Sequence, residues 1–428
     1  MKPKIGVLGL WHLGCVTAAC LAKHNDVVGL DFEGVTVAKL QQGHAPVAEP
    51  GLDHLIGEGL ASGRLSFAMA AEENVAEIDL LWVTYDTPVD ENDRSDTAFV
   101  LDRVRRVLDW SRNIRLVVIS AQLPVGTCGA LEKEYAARGL AFACVPENLR
   151  LGQALDVFLK PDRIVAGVRT AQDREILSGL LAPFSEKIIW MTPESAEMTK
   201  HALNSFLAVS IAFMNEISRL CERTGADARS VSEGLKSDRR IGPHAYLAPG
   251  AAFAGGTLAR DVVTLVELGT KRGESIEVLS AIGPSNEKHK LWAWHRLVEQ
   301  FPILAGRTIT LLGLTYKPNT DTLRRSASLE LAGRLVQAGA RVLVWDPAVP
   351  SVPEHPELFV AGSAREAVTD ADAVVIGTPW PQFREENWTE LLAAMKRPVV
   401  LDAGRFLQRH MPAMPSLKYF TVGVPDEA

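Results

Sequence analysis

The sequence has few cysteines and no long hydrophobic run. Its 428 residues include an odd number of cysteines, which lie mostly in apolar contexts, at Cys15, Cys20, Cys128, Cys144 and Cys221. We therefore expect reduced, buried thiols and no disulfide framework. No stretch reaches the ~18 apolar residues of a membrane span, and no A-x-A-like cleavage site follows the N-terminus. These absences predict a cytoplasmic protein without a membrane partner.

Positive charge is also in short supply. The 45 Lys and Arg residues are outnumbered by 52 Asp and Glu residues, which gives a formal net charge of -7. Nucleic-acid partners require a basic excess, so we predict none. An anionic small molecule remains compatible, because a local cluster of Arg and Lys can hold one. No His, Cys, Asp or Glu residues have the spacing of metal ligands, so we expect no metal.

The remaining composition is that of a globular protein, with 47% hydrophobic and 23% charged residues. Its length suggests two or three domains. Apolar strand-like runs alternate with helical stretches at both ends of the chain, as in doubly wound α/β folds. The candidate strands are 4–8, 27–30, 80–83, 116–120 and 142–145 at one end, and 307–312, 342–345, 373–376 and 399–401 at the other.

The middle of the chain is predicted to be helical. Residues 194–223 contain neither Gly nor Pro and carry apolar residues at helical spacing, which indicates one long helix. The helical pattern continues to about residue 300, with a Gly- and Pro-rich interruption at 242–256. The sequence therefore predicts a Rossmann-like domain over 1–193, a helical region over 194–300 and a second Rossmann-like domain over 301–428.

The first strand runs into a glycine turn, G-L-W-H-L-G over 9–14, and an apolar helix comes next. Glycines at such a turn let the backbone approach a pyrophosphate, which then sits on the helix N-terminus. Asp31 lies 22 positions after Gly9, at the end of the second strand, where its carboxylate favours NAD over NADP. Trp11 occupies the place of the middle glycine of G-x-G-x-x-G. A tight turn without a ligand is the alternative interpretation.

Beyond this turn, the sequence resembles the UDP-glucose/GDP-mannose dehydrogenase family along nearly its whole length. The segments that carry the resemblance, in order, are V-G-L-D (28–31), E-P-G-L (49–52), L-P-V-G-T (123–127), P-E-N-L-R (146–150), K-P-D-R-I-V-A-G (160–167), E-M-T-K-H-A-L-N (197–204), F-M-N-E-I (213–217), R-I-G-P (240–243), A-F-A-G-G-T-L-A-R-D (252–261), G-L-T-Y-K-P-N-T-D-T-L-R (313–324) and V-W-D-P (344–347). The resemblance implies an N-terminal NAD domain, a central dimer-forming helical region and a C-terminal nucleotide-sugar domain. It also implies a homodimer with a role in polysaccharide biosynthesis.

The resemblance also implies the residues of the site. Those expected to bind NAD are Gly9, Trp11, His12, Leu13, Gly14, Asp31, Thr87, Gln122 and Arg324. Those expected to bind the nucleotide sugar are Glu147, Leu149, Arg150, Lys200, Asn204, Arg240, Phe253, Gly255 and Lys317. Among these, Lys200 and Asn204 would stabilise oxygen charge at the reacting carbon, and Asp261 would work with the lysine on a bound water. Arg240 matches an arginine that reaches the neighbouring subunit's substrate.

This sequence departs from the family at the second half-reaction. Family members oxidise a sugar CH₂OH to a carboxylate in two hydride transfers, the second through a cysteine thiohemiacetal and thioester. Thr257 stands where that cysteine belongs. Gln122 replaces a threonine that helps place the hydrolytic water, and Leu151 replaces the second of two glutamates, while Glu147 stands at the first. We expect a coordinated loss of this half-reaction.

Several functions remain open on the sequence alone. The first is a single two-electron oxidation of a nucleotide sugar, with a UDP-hexose favoured because it is the family's commonest substrate. The second is a redox-neutral epimerase that returns the hydride and retains NAD. The third is a catalytically dead nucleotide-sugar or NAD sensor, against which the presence of Lys200, Asn204 and Asp261 argues. Full oxidation with a substitute nucleophile ranks last, because a threonine alcohol needs a nearby base.

Overall fold

The structure is a computed structural model that describes residues 3–90, 94–147, 149–254 and 256–425. The chain divides into two compact units, Met1–Leu203 and Asn204–Ala428. Each unit contains a largely parallel sheet, and a long helix runs from the first unit into the second. The α/β architecture predicted from the sequence is thereby confirmed. The domain boundaries at 193/194 and 300/301 stay a prediction.

The first unit holds an eight-stranded sheet of order β3-β2-β1-β4-β5-β6-β7-β8. All neighbouring strands are parallel except β6 and β7, which pair antiparallel. The strands are β1 Ile5–Leu8, β2 Val27–Asp31, β3 Leu65–Met69, β4 Leu80–Val83, β5 Leu116–Ile119, β6 Ala141–Cys144, β7 Ile164–Gly167 and β8 Ile188–Met191. The helices are α1 His12–Leu21, α2 Gly34–Gln41, α3 Leu52–Ala61, α4 Glu72–Val75, α5 Thr97–Trp110, α6 Thr127–Glu134, α7 Ala154–Leu159 and α8 Ala171–Leu181.

The helical middle contains α9 Pro193–Thr224, α10 Ala228–Ser237, α11 Thr257–Arg272, α12 Glu277–Lys290 and α13 Trp292–Gln300. The helix α9 confirms the one predicted over 194–223. A six-stranded parallel sheet of order β11-β10-β9-β12-β13-β14 comes after it. Its strands are β9 Thr308–Leu312, β10 Arg341–Trp345, β11 Phe359–Val360, β12 Ala373–Ile376, β13 Val399–Leu401 and β14 Lys418–Phe420, with helices α14 Ala327–Gln337, α15 Ala364–Val368 and α16 Trp388–Ala394.

Each sheet is buried on both faces. Along β4, Leu80 and Trp82 pack into one apolar cluster, while Leu81 and Val83 pack into another. The second sheet has a similar pair of clusters, which Val375 and Val374 of β12 enter from opposite faces. Such double burial explains why the central strands read as continuous apolar runs. Within the described ranges, no helix is both long enough and apolar enough to cross a membrane.

Candidate functional site

The glycine turn after β1 has the geometry of a dinucleotide site. Gly9 adopts φ +99°, a conformation that side chains disfavour, and its N–H donates to the Leu30 carbonyl at 2.9 Å. The helix α1 starts three residues later, at His12. A Cβ atom at Gly14 would lie 1.8 Å from the Gly9 carbonyl oxygen, so only glycine permits this close packing. The turn fits a pyrophosphate on the N-terminus of α1.

Asp31 lies beside this turn, as the sequence predicted. Its carboxylate accepts the Leu10 N–H at 2.6 Å and the Glu33 N–H at 3.1 Å, and the residue is only 7% exposed. The carboxylate therefore holds the glycine turn in place. A carboxylate offers about four lone-pair sites, so acceptor capacity remains for a ribose hydroxyl.

The three predicted cofactor residues between Gly9 and Gly14 have different surroundings. The Trp11 side chain is half exposed, so the indole lies at the surface of the turn. Leu13 is buried, which leaves its backbone as the group that can reach a cofactor. His12 pairs through Nε2 with the Glu49 carboxylate at 2.8 Å. The turn thus leaves its backbone available to the pyrophosphate, and the residues present fit NAD.

Glu49 is a residue that the sequence analysis missed. Besides pairing with His12, its buried carboxylate accepts the N–H groups of Gly152 at 2.8 Å and Ala154 at 2.9 Å. It therefore ties the glycine turn to the loop after Glu147. Its place in the quoted E-P-G-L segment was the available signal, but contacts across more than 100 positions cannot be read from spacing.

Thr87, Gln122 and Lys200 lie close together in the first unit. The Thr87 hydroxyl donates to the Gln122 carbonyl at 2.7 Å. Gln122, Lys200 and Cys144 line a cavity of about 10 Å³. That volume is near the minimum for one water molecule. The structure thus gathers residues that the sequence assigned to both cofactor and substrate.

Lys200 contacts Glu147 twice. Its ammonium donates to the Glu147 carbonyl at 2.5 Å and lies 4.0 Å from the Glu147 carboxylate. The carboxylate in turn accepts the N–H of Leu149, while the Arg150 side chain is exposed. Lys200 and Glu147 thus form a charged pair, with the lysine largely shielded from solvent.

Two further side chains of α9 attach this helix to the segment 123–128 of the first unit. Glu197 accepts the N–H groups of Gly126 at 2.5 Å and Cys128 at 2.9 Å, at the start of α6. His201 hydrogen-bonds the Leu123 carbonyl at 2.9 Å. Burial raises the pKa of Glu197, although the two backbone donors favour its charged form. These contacts flank Lys200 along α9 and hold it in position.

The second unit contains the other catalytic candidates. Asn204, one helical turn after Lys200 on α9, donates to the carboxylate of Asp261, which is fully buried. Thr257 is the exposed first residue of α11, one turn before Asp261. The N–H and carbonyl of Phe253 are both bound by the Asn286 side chain, at 3.0 and 2.9 Å. Gly255 lies outside the described residues.

Three predicted binding residues lie on loops of the second unit: Lys317 and Arg240, expected to bind the nucleotide sugar, and Arg324, expected to bind NAD. Lys317 is half-buried after β9, with its ammonium 5.3 Å from the centre of the Tyr316 ring. Arg324 is exposed on the same loop. Arg240 is exposed after α10 and hydrogen-bonds Asp238 at 2.6 Å, which lowers the pKa of that carboxyl. In the described part of the chain, no group of three or more His, Cys, Asp or Glu residues could hold a metal ion.

The fold and the glycine turn define a dinucleotide-binding protein with a second α/β unit. Comparison with known families gives the same result along the chain. The NAD binding domain of the UDP-glucose/GDP-mannose dehydrogenase family matches residues 3–185, its central domain 194–288 and its UDP binding domain 310–409. The chain belongs to this family, and it is an NAD-dependent enzyme.

Relatives and solved structures agree with this assignment. The chain is 34% identical to the UDP-glucose 6-dehydrogenase of Pseudomonas aeruginosa, over 93% of this chain and 92% of that protein. It is 32% identical to that of Rhizobium meliloti, over 99% and 100%. A UDP-glucose dehydrogenase structure from Pyrobaculum islandicum superposes with a TM-score of 0.84, at 33% identity over 94% of both chains. A UDP-D-ManNAc dehydrogenase from Pyrococcus horikoshii shares the fold, with a TM-score of 0.85 at 24% identity over 99% and 100%.

Proposed function

We propose that this enzyme carries out one two-electron oxidation of a nucleotide sugar, with a UDP-hexose as the favoured substrate. The observation that carries the proposal is the hydroxyl of Thr257 in the segment where the family resemblance places a thiol. The UDP-hexose preference rests on the curated relatives of similar sequence, which are named UDP-glucose 6-dehydrogenases.

The chemistry of position 257 supports a single oxidation. Thr257 is exposed and lies one turn before the buried Asp261. A threonine alcohol is a far weaker nucleophile than a thiolate and needs an adjacent base. All five cysteines are buried, and the pKa of the Cys128 thiol is raised well above its ordinary value by its contact with Cys144 and by burial. Formation of a thioester would therefore require one of these buried thiols as the nucleophile.

The chain retains the residues that the proposal assigns to the first hydride transfer. NAD, when bound, supplies the hydride acceptor. Lys200 carries an ammonium group that can stabilise negative charge developing on the sugar oxygen. Asn204 offers an amide whose orientation is fixed by its hydrogen bond to Asp261. The buried Asp261 carboxylate can move a proton through a bound water. These groups support the proposed oxidation of an alcohol.

The hydrolytic half of the family reaction has lost further groups. Gln122 lines the small cavity with Lys200, where the resemblance expects a threonine that places water. Leu151 is half-buried and offers no carboxylate. Restoring a thiol at position 257 would leave both changes in place. We therefore expect Thr257→Cys alone to form no uronic acid.

The test counts NADH. The full-length protein is incubated with NAD and UDP-glucose, or another member of a nucleotide-sugar panel, and NADH formed is compared with sugar consumed by mass spectrometry. The expected result is one NADH per sugar and an aldehyde or ketone product. Two NADH with a uronic acid product would contradict the proposal. If that activity disappeared in Cys144→Ser, this thiol would be the substitute nucleophile.

Two other outcomes identify the competing functions. A new sugar isomer without net NADH would mean that the hydride is returned, as in a redox-neutral epimerase. Binding without turnover, unchanged in Lys200→Met, would indicate a sensor. The same Lys200→Met variant should abolish NADH formation if the proposed oxidation is right.

We further propose a homodimer that uses one face of α9. Phe206, Phe213 and Leu220 recur at seven-residue intervals on this helix and are 67%, 47% and 61% exposed. An apolar stripe at this spacing is suited to packing against another helix. A second copy is the expected occupant, because the homodimer implied by the resemblance is built on this region. Light scattering should give twice the 46.5 kDa chain mass, and Phe213→Glu should shift the protein to monomers.

A further inference from the structure

A loop in the second unit is held by buried side chains from two helices. The loop is the segment 250–253, which precedes α11. Five hydrogen bonds join its backbone to three side chains, Asn215 of α9 and Asn286 and His289 of α12. These three residues are only 1%, 3% and 2% exposed. Buried polar groups are costly unless they are hydrogen-bonded, so this part of the core is built around the loop.

The two asparagines each bind the loop through both ends of the side-chain amide. Asn286 accepts the Phe253 N–H at 3.0 Å and donates to the Phe253 carbonyl at 2.9 Å. Asn215 accepts the Gly250 N–H at 3.2 Å and donates to the Ala251 carbonyl at 3.2 Å. Since an amide side chain has one acceptor end and one donor end, each pair of bonds fixes the direction of the backbone as well as its position.

His289 supplies the fifth hydrogen bond. Its Nε2 atom lies 2.7 Å from the Gly250 carbonyl oxygen, and its Nδ1 atom lies 2.9 Å from the Arg219 guanidinium. A carbonyl only accepts and a guanidinium only donates, so the imidazole is neutral and carries its proton on Nε2. Burial lowers the pKa of His289 to about 4, which keeps the imidazole neutral at neutral pH. Arg219 thus fixes the tautomer that donates to the loop.

The loop leads to residues that the family resemblance assigns to the substrate. Phe253 is one of them, and its ring packs against the apolar cluster shared by α9, α11 and α12. Thr257 follows four positions later, and the buried Asp261 comes one helical turn after that. Displacement of the loop would therefore move a predicted ligand of the nucleotide sugar together with the start of α11. A misplacement of about 1 Å can cost about 100-fold in rate.

We propose that His289 is a positioning residue for the nucleotide sugar. Together with Asn215 and Asn286, it holds the segment 250–253 in the conformation that the sugar nucleotide binds. This role rests on the proposed nucleotide-sugar substrate, but not on the number of hydride transfers. His289 itself transfers no proton, because the protein occupies both of its ring nitrogens.

Four variants separate this role from a general effect on folding. His289→Leu removes the donor to Gly250, while His289→Gln keeps an amide N–H that can donate to the same carbonyl. Asn286→Asp keeps the acceptor for the Phe253 N–H but removes the donor to the Phe253 carbonyl. His295→Leu is the matched control, because this histidine is exposed on α13.

The measurements are made on the full-length protein. Calorimetry gives the affinities for UDP-glucose and NADH, and the rate of NADH formation gives the KM values for UDP-glucose and NAD. Hydrogen exchange of the 250–253 amides reports on the loop itself. Calorimetry still reports on the substrate site if the protein forms no NADH, so a failure of the proposed oxidation is distinguishable from a failure of the role of His289.

We expect His289→Leu and Asn286→Asp to exchange the loop amides faster and to bind UDP-glucose at least about tenfold more weakly, with NADH affinity unchanged. The KM for UDP-glucose should rise in parallel, while the KM for NAD should not. His289→Gln should retain most of the UDP-glucose affinity, and His295→Leu should match the unmodified protein.

Normal UDP-glucose affinity in His289→Leu would overturn the proposal, whether or not the loop amides exchange faster. Equal losses for UDP-glucose and NADH would also overturn it, as would a loss in His289→Gln as large as in His289→Leu, because the histidine would then only support the fold. No UDP-glucose binding by the unmodified protein at millimolar concentration would overturn the substrate and the role of His289 together.

Discussion

The two α/β units contain the same glycine turn, closed by the same kind of acid. In the first, Gly9 has φ +99° and the next residue donates its N–H to Asp31 at 2.6 Å. In the second, Gly313 has φ +91° and the next residue, Leu314, donates to Asp346 at 2.6 Å. In both units, the acid at the end of the second strand therefore fixes the glycine turn, whether or not it also binds a ligand.

Asp31 and Asp346 differ in how much hydrogen-bond acceptor capacity they leave for a ligand. Asp346 also accepts the N–H of Thr315 at 3.2 Å, that of Ala348 at 2.9 Å and the indole N–H of Trp380 at 3.0 Å. The protein's own donors thus fill this carboxylate. Asp31, with its two backbone donors, retains capacity for a ribose. The same residue type at the same place can bind a cofactor in one unit and only support the fold in the other.

The turns also differ in the segment that comes after the glycine. In the first unit α1 begins at His12, three residues after the glycine, so its N-terminus can contact a pyrophosphate. In the second unit α14 begins only at Ala327, and the intervening loop carries Lys317 and Arg324. An anion there would meet cationic side chains in place of a helix terminus. The difference suits a dinucleotide in one unit and a sugar nucleotide in the other.

The largest expected effect separates the two acids. Asp346→Ala leaves the buried donors of Leu314, Thr315 and Trp380 without their acceptor, at about 1–3 kcal/mol each. We expect a loss of about 4 kcal/mol in the free energy of unfolding, with NAD affinity unchanged. Asp31→Ala should cost about half as much stability, yet weaken NAD more than it weakens NADP. Urea unfolding and fluorescence titration measure both quantities, and equal effects from the two variants would remove the distinction.

The second prediction concerns the tight packing of the first turn. Gly14→Ala places a Cβ atom 1.8 Å from the Gly9 carbonyl oxygen, so the turn must shift. Overpacking of this kind costs about 1–3 kcal/mol. NAD affinity should fall at least about tenfold. Gly57→Ala, in α3 with nothing within 4 Å of the added atom, is the control, and it should stabilise the protein by about 0.5–1 kcal/mol. Normal NAD binding by Gly14→Ala would show that the turn does not contact the cofactor.

A third set of variants tests the side-chain ligands of the second unit. Lys317→Ala, Arg324→Ala and Arg240→Ala should each weaken UDP binding at least about tenfold, equivalent to about 1.4 kcal/mol. The losses should shrink at high salt, because exposed charges are screened. NAD affinity should not change in Lys317→Ala or Arg240→Ala. Calorimetric titration with UDP and NADH distinguishes these results, and unchanged UDP affinity in all three variants would place the nucleotide elsewhere.

The sequence predicts most of the central strands and the long helix but misses the sheet edges and the interior strand β7. The central strands are apolar throughout, since both faces are buried, as in β4 and β5. The missed strands include β8, which is half-buried, and β11, which has two exposed residues. Edge strands carry weaker apolar patterns, because one side has no neighbouring strand and less of their surface is buried.

The candidate site shows the same limit. Lys200, Asn204 and Asp261 could be proposed from local segments that resemble the family. The roles of Glu49 and Glu197 could not, although both stand in such segments, because each acts on backbone groups of distant segments, such as Ala154 and Gly126. Residue spacing carries no information about such contacts. The role of an acid near a glycine turn likewise depends on which donors already occupy it.

The smallest expected effect is at Trp11, where the first turn departs from the glycine pattern. The side chain is 51% exposed and the backbone has φ -91°, so neither core packing nor a left-handed conformation depends on this residue. Trp11→Gly should therefore change stability little, while it removes bulk beside the pyrophosphate path. We expect NAD to bind about threefold more tightly, about half of the free energy that a tenfold change represents. His12 should keep its contact with Glu49, because the Trp11 side chain takes no part in that pair. Weaker NAD binding in this variant would mean that the indole contacts the cofactor, and the tryptophan would then be a ligand without a counterpart in the second turn, at Gly313.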